Sequence, residues 1–195
     1  MNPKIAKQIK RVLFRVGAVA ALLVLLILGC YRLLVWADRR AEISWRQIRR
    51  ISQRQLDLVS ELTSLVKEPF PGLTRPIRQL KDSQERLLES QAALRAPVTQ
   101  SQLRGHEKSY SEMTTALERI VKTVSDVQPF GRNRPFREWV GHYQGTEHLL
   151  TLEKRRYNHL ATAYNRIYEA FFVNWVAERF KLQGRPLFKN GRQLI

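Results

Sequence analysis

Four histidines, His106, His142, His148 and His159, and a single cysteine, Cys30, are the side chains best suited to ligating a metal or attacking a substrate. A helical zinc site needs two imidazoles one turn apart with a carboxylate beside them, and no His-Glu-x-x-His arrangement occurs. Glu138 and His142 stand at helical spacing, but one carboxylate and one imidazole leave a metal short of ligands, so the pair reads as a solvated helix face. Glu147 and Glu153 lack the close spacing of an acid/base pair. Glu153 falls on an apolar seam, where it is expected to meet an arginine of a partner helix. There is no glycine-rich phosphate loop and no serine or cysteine nucleophile in a recognisable setting. The chain is therefore expected to act without catalysis, metal or cofactor. One cysteine also rules out an internal disulfide framework, so stability must come from packing.

The element that carries these residues to their place begins at the N-terminus. Val16 to Tyr31 are 16 uncharged, mostly aliphatic residues, which as a helix reach roughly 24 Å of a ~30 Å hydrocarbon core. Arg15 and Arg32 can snorkel, and Val12 to Phe14 and Leu33 to Trp36 extend the apolar surface to a full span with an interfacial tryptophan. A single-pass anchor over residues 1–37 follows, with a helical domain over 38–195. The same residues admit a second reading, a cleaved signal whose Ile27-Leu28-Gly29-Cys30 resembles a bacterial lipobox with Cys30 acylated, and a third, a buried core helix. Basic residues flank both ends of the span, but a short basic tail resists translocation while long domains cross regardless of charge. This predicts the N-terminus inside and the bulk outside the cytoplasm.

Lys and Arg number 34 against 17 Asp and Glu, and six of the basic residues precede Asp38, leaving the domain at +11. Such an excess attracts polyanions of any kind, and beside a membrane the nearest is anionic lipid. Arg39, Arg40, Arg46, Arg49 and Arg50 are the expected lipid-facing cations, with Arg185, Lys189 and Arg192 as further candidates.

Proline clusters at Pro69–Pro76, around Pro97 and at Pro129–Pro135 divide the domain into four helical segments. The first runs to about Val66 with Ile48, Ile51, Leu58, Leu62 and Leu65 on one stripe and Gln55 as its polar exception. The second, about Ile77 to Leu94, carries Ile77, Leu80, Leu87 and Leu94, with Gln84 and Gln91 on the seam. The third repeats Tyr110, Met113, Leu117, Ile120, Val124 and Val127. The fourth sustains the spacing from Trp139 through Tyr143, Thr146, Leu150, Tyr157, Leu160, Tyr164 and Ile167 to Phe171, about 50 Å of helix. Four apolar stripes predict an all-α fold: an N-terminal transmembrane helix, then an antiparallel four-helix bundle. Trp175, Val176, Phe180 and Leu182 add a short C-terminal helix, followed by an irregular, mobile basic end.

Tyr143-Gln-Gly-Thr-Glu147, then Lys154-Arg-Arg-Tyr-Asn158 and Tyr164-Asn165, resemble the signature of the LemA family, in which a Gly-Thr-Glu element precedes a basic stretch and two Tyr-Asn pairs seven residues apart. Trp45-Arg-Gln-Ile48, Arg54–Val59 and Leu65-Val-Lys67 are similar to that family's first helix. The resemblance marks Trp45, Gly145, Thr146, Glu147, Arg156, Tyr157, Asn158, Tyr164 and Asn165 as signature positions and implies a membrane-attached helical bundle of bacterial origin. Tyr157 and Tyr164 lie two turns apart on one seam and are expected to pack, with their hydroxyls at the rim. Asn158 and Asn165 beside them are placed to bond a neighbouring helix or each other's turn.

Two functions are open at this stage. One is a scaffold in the bacterial cell membrane that binds another membrane or envelope protein, or a second copy of itself. The other is a module that grips membrane lipid and helps organise membranes, which the resemblance extends to magnetosome-type compartments. No recognition motif points to nucleic acid.

Overall fold

The computed structural model describes residues 3–94, 98–128, 130–170, 177, 179 and 182–189, with side chains from Phe14 onward. Among the described residues four helices follow in order: α1 (Pro3–Lys67), α2 (Thr74–Ala93), α3 (Gln100–Ser125) and α4 (Arg134–Glu169). Short 3₁₀ turns at Pro71–Leu73 and Phe130–Arg132 precede α2 and α4. No strand occurs among the described residues. The four-helix arrangement is the one the apolar stripes predict.

The prolines stop and start the helices as their chemistry requires. Past Lys67 the chain turns through Pro69 and Pro71, where Phe70 N–H bonds the Val66 carbonyl at 3.1 Å and Leu73 N–H bonds Phe70 at 3.0 Å. Thr99 opens α3 in a capping box with Gln102, so two otherwise orphaned N–H groups are met. Pro135 occupies the first turn of α4, where its missing N–H costs nothing. Between α3 and α4 the chain folds so tightly that a Cβ on Gly131 would lie 2.4 Å from the Ser125 carbonyl oxygen, which excludes a side chain there. Because α3 ends at Ser125, Val127 lies beyond it and is exposed rather than on the seam. Pro97 and Pro129 lie outside the described residues.

The expected anchor and the first bundle helix are one element. α1 is a single helix of 65 residues, about 98 Å long, and the boundary drawn at residues 37 and 38 falls inside it. Its N-terminal part is long and apolar enough to cross a membrane. Phe14, Leu25 and Leu33 are exposed, so this stretch is not a buried core helix. Burial starts at Leu34, fully covered, and continues through Ala37, Ala41, Trp45 and Ile48.

Within the bundle α1 packs on α4 and α2 on α3. Contacts of α1 with α4 step in opposite directions, Ser44 to Glu153, Gln55 to Glu147 and Leu58 to Trp139, so the pair is antiparallel. Trp139 at the far end is buried against Phe136 and Tyr143, and its indole N–H donates to the Leu58 carbonyl at 2.8 Å. Burying a ring of this size stabilises by about 3 kcal/mol if the N–H is satisfied, as it is here. Gln84 on α2 reaches the Leu56 carbonyl and the Ser60 hydroxyl of α1, both at 3.2 Å, as a polar seam residue that fixes register. The core divides along the axis into a distal cluster around Leu62, Leu117 and Trp139, a middle one around Trp45, Leu103 and Tyr157, and a base of Leu34, Ala37, Tyr164 and Ala177 with Cys30 against it.

Ala177 and Arg179 of the expected C-terminal helix are helical, and Leu182 N–H returns to the Ala177 carbonyl at 2.9 Å, a bond that closes helix ends. Phe171, Trp175, Val176, Phe180 and Arg192 lie outside the described residues. From Leu182 to Lys189 the chain is not the mobile end that the sequence suggests. It lies in a groove, and the partners that hold it there are specific.

Candidate functional site: a groove that holds the C-terminal tail

Residues 182–189 run antiparallel to α4 and alongside α1, with the start of α3 as the third wall. The Asn165 side-chain amide donates to the Arg185 carbonyl and accepts from the Arg185 N–H, both at 2.8 Å. Asn158 does the same for Phe188, donating at 2.8 Å and accepting at 2.9 Å. From α3, Gln100 clips Leu187, donating at 2.8 Å and accepting at 2.9 Å. Each carboxamide thus stands in for a neighbouring β-strand, meeting the N–H and C=O of a single residue. The tyrosines complete the pattern: Tyr157 donates to the Pro186 carbonyl and Tyr164 to the Gln183 carbonyl, both at 3.0 Å.

The seven-residue spacing of the two Tyr-Asn pairs has a geometric cause. Seven helical residues rise about 10.5 Å, and three extended residues span about 10 Å. Asn158 and Asn165 accordingly meet Phe188 and Arg185, while Tyr157 and Tyr164 meet Pro186 and Gln183. Each helical repeat of seven advances the tail by three.

Two tail side chains are held as well. Arg185 pairs with Asp38 at 2.9 Å and Glu42 at 3.4 Å on α1 and is largely covered. Its guanidinium is held further above its ordinary range by these carboxylates, against the opposing effect of burial. Phe188 stacks on Trp45 at 5.6 Å and meets the edge of Tyr157 at 5.5 Å, with Lys154 over its ring. Burial pushes the Tyr157 hydroxyl up, and burial with the Asp38 charge takes Tyr164 to about 12, so both remain neutral donors. A cavity of about 390 Å³, lined by Asp38, Glu42, Arg49, Leu94 and Val98 among others, lies beside Gly184 and Pro186 and is not filled by them.

Above the groove a half-buried polar cluster ties three helices together. Gln55 on α1 donates to Glu147 on α4 at 2.6 Å, and the Tyr110 hydroxyl on α3 bonds Glu147 and lies 3.1 Å from the Gln55 oxygen. Burial and the adjacent Glu147 charge hold the Tyr110 phenol well above its ordinary range, so it stays a donor. Lys154 lies over the Tyr110 ring at 4.4 Å; burial lowers its affinity for a proton while the charges of Glu147 and Glu107 oppose that effect. Glu107 accepts the Lys189 N–H at 3.0 Å, which links this cluster to the tail, and burial raises its carboxyl. His106, nearby on α3, is lowered to about 4 by burial and the Lys154 charge.

The signature residues divide by role. Trp45, Tyr157, Asn158, Tyr164 and Asn165 converge on the tail, and Glu147 centres the polar cluster. Thr146 is buried and bonds the His142 carbonyl of its own helix at 2.7 Å, while Gly145 is exposed with open space where a Cβ would go. Arg156 is exposed and pairs with Glu153 one turn back at 3.8 Å. Glu153 thus meets Ser44 of α1, at 2.7 Å, and Arg156 of its own helix rather than an arginine of a partner helix. Among the described residues the asparagines bond the tail, which lies between them and the neighbouring helix, and not a neighbouring helix or each other's turn. Arg39, Arg40, Arg46, Arg49 and Arg50 are exposed on α1, with Arg40 over the Trp36 ring at 4.3 Å, whereas Arg185 is taken by Asp38 and Glu42 and does not face lipid. Gln100 and Asp38 escaped the sequence reading, since neither lies on an apolar stripe or in the signature.

No curated protein matches the chain. The LemA family model matches residues 44–193, a span that begins beside Trp45 and takes in the polar cluster, the Tyr-Asn pairs and the tail they hold, and the chain belongs to the LemA family.

Proposed function

We propose that the chain is a single-pass scaffold of the bacterial cell membrane whose bundle, standing outside the cytoplasm, binds another membrane or envelope protein and acts by binding rather than catalysis. The observation that carries this reading is the continuity of α1: the exposed apolar stretch and the buried seam belong to one helix. Such a helix fixes the bundle at the membrane without a linker. Exposed Leu149 and Leu152 on α4 offer an apolar contact surface to a partner or to a second copy. Protease protection in intact and osmotically opened cells, with the mass of the mature chain, tests the reading. Digestion on opening the outer barrier, at full-length mass, supports it. Protection until the cytoplasmic membrane is lysed overturns the orientation, and a mass starting at Cys30 plus lipid replaces the span with a lipid anchor.

A second reading, a lipid-surface module, is favoured by Arg39 and Arg40. Both are exposed and, at 1.5 Å per residue, stand about 10 Å beyond Leu33, within reach of headgroups, whereas Arg46, Arg49 and Arg50 stand about 20–25 Å beyond it. Glutamate at both 39 and 40 should then weaken salt-sensitive association of the full chain with anionic over neutral lipid in nanodiscs, and unchanged lipid preference would reject it.

A further inference from the structure

We propose that the groove is a receptor for extended peptide segments carrying an arginine three residues before an aromatic residue, and that the tail is a built-in ligand which such a segment of a partner protein displaces. The proposal rests on the reading of the chain as an interaction protein and names the site of interaction.

The contacts separate what any peptide offers from what a particular one must supply. Asn158, Asn165, Gln100, Tyr157 and Tyr164 all bond main-chain atoms of the tail, which every extended segment presents. Sequence is read at two points: the Asp38 and Glu42 carboxylates take a cation, and Trp45 with Tyr157 take a ring. Cation and ring are three residues apart because the Asn clips are seven apart on α4. The walls belong to helices with a core of their own: the distal cluster holds no residue of the C-terminal segment, while the middle and basal clusters join Tyr157 and Tyr164 to Phe188, Leu187, Ala177 and Leu182. The groove is thus carried by the bundle and completed by what fills it.

The tail fills this groove incompletely. The cavity of about 390 Å³ lies against Gly184 and Pro186, and a Cβ at 184 would meet only the Asn165 oxygen at 3.6 Å, an ordinary contact. A segment with a side chain in the place of Gly184 would keep every main-chain bond and meet Asn165 without a clash. A ligand of that kind in another protein can compete with a tail that is always at hand, whose presence lowers apparent affinity by the fraction of time the groove is open.

The test uses the full chain in nanodiscs and two labelled peptides, Gln-Gly-Arg-Pro-Leu-Phe-Lys and the same sequence with Leu for Gly. A tail-releasing variant, Arg185→Ala with Phe188→Ala, should bind both peptides about tenfold more tightly than the unaltered chain. In that background Asp38→Lys with Glu42→Lys should reject the Arg peptides and accept one with Glu in place of Arg. Both carboxylates are partly exposed, so this exchange leaves the core intact. Failure of the released variant to bind either peptide, with helical content unchanged and hydrogen exchange showing residues 185–188 unprotected, would overturn the proposal and leave the groove an intramolecular clasp. Concentration-dependent dimers of the unaltered chain, with no gain of peptide binding on release, would overturn it in favour of tails exchanged between two copies. Neither result bears on membrane orientation, which the protease experiment decides separately.

Discussion

An asparagine carboxamide carries one donor face and one acceptor at the spacing of a peptide group, which is why Asn158 and Asn165 can each satisfy both main-chain groups of one tail residue. Aspartate has the same shape but no donor, so it would set a carboxylate oxygen against a carbonyl. Asn165→Asp should therefore lose the bond to the Arg185 carbonyl and leave that group poorly met, destabilising the docked tail by about 1–3 kcal/mol. Hydrogen exchange at the Arg185 and Phe188 amides would read it, and unchanged protection would show that the clips contribute nothing. The tyrosine positions were legible from the sequence as packing residues, and Tyr157 and Tyr164 are buried, with their hydroxyls bonded beneath the tail rather than left at the rim. The target of those hydroxyls was not legible, because an extended segment held by its main chain leaves no side-chain period to find, and its partners stand 19 to 87 residues away in sequence. His106 gives a second prediction at this scale. Its Nδ1 lies 3.1 Å from the Ser90 hydroxyl, which itself donates to the Leu87 carbonyl, so the buried ring is held neutral. In the unfolded chain it takes up a proton near 6.5 and in the folded chain only near 4. Between those values the unfolded chain binds more protons, and stability falls on acidification by at most about 3 kcal/mol. The raised carboxyl of Glu107 works in the opposite direction, so the measurement is a comparison of denaturation midpoints from pH 7 to 4.5 with His106→Gln, which should show the shallower decline.

Among the elements, α1, α3 and α4 are joined by Gln55, Tyr110 and Glu147, three polar residues on otherwise apolar seams. Buried carboxylates destabilise unless well bonded, and here the carboxylate has an amide and a phenol as donors, with Lys154 close by. Tyr110→Phe removes a donor and should cost about 1–3 kcal/mol; Glu147→Gln alters the same group, so the double variant should cost less than the sum by about 1 kcal/mol or more. Additive losses in a double-mutant cycle would mean that the two residues act independently. The sequence placed Gln55 as the polar exception of its stripe, Tyr110 on its own stripe and Glu147 in the signature. It could not match them, because helix order along the chain does not say which faces meet. The same gap explains Glu153, for which a seam position predicts a partner across the interface but not that Ser44 would be it.

For the whole molecule, the consequence of one 65-residue helix is mechanical. Proline punctuation and apolar stripes were enough to recover four helices and their antiparallel packing. They drew a boundary between anchor and domain because the polarity changes there, although the helix does not. If Leu33 marks the end of the span, the Asp38 to Trp45 wall of the groove stands about 8–18 Å above it, and Lys67 at the far end about 51 Å. A label at Lys67 should then show a single narrow distance to the bilayer surface in nanodiscs. Inserting a short Gly-Ser linker between Arg32 and Leu33 should broaden that distance while leaving the thermal midpoint of the bundle nearly unchanged, since burial begins only at Leu34. A broad distribution in the unaltered chain would show a hinge within α1, and the groove would then sample many heights. A narrow one would mean that any segment reaching the groove must come from a partner whose own chain is extended within about 20 Å of the membrane. That requirement selects membrane-attached partners over freely diffusing ones, and it follows from the continuity of the helix.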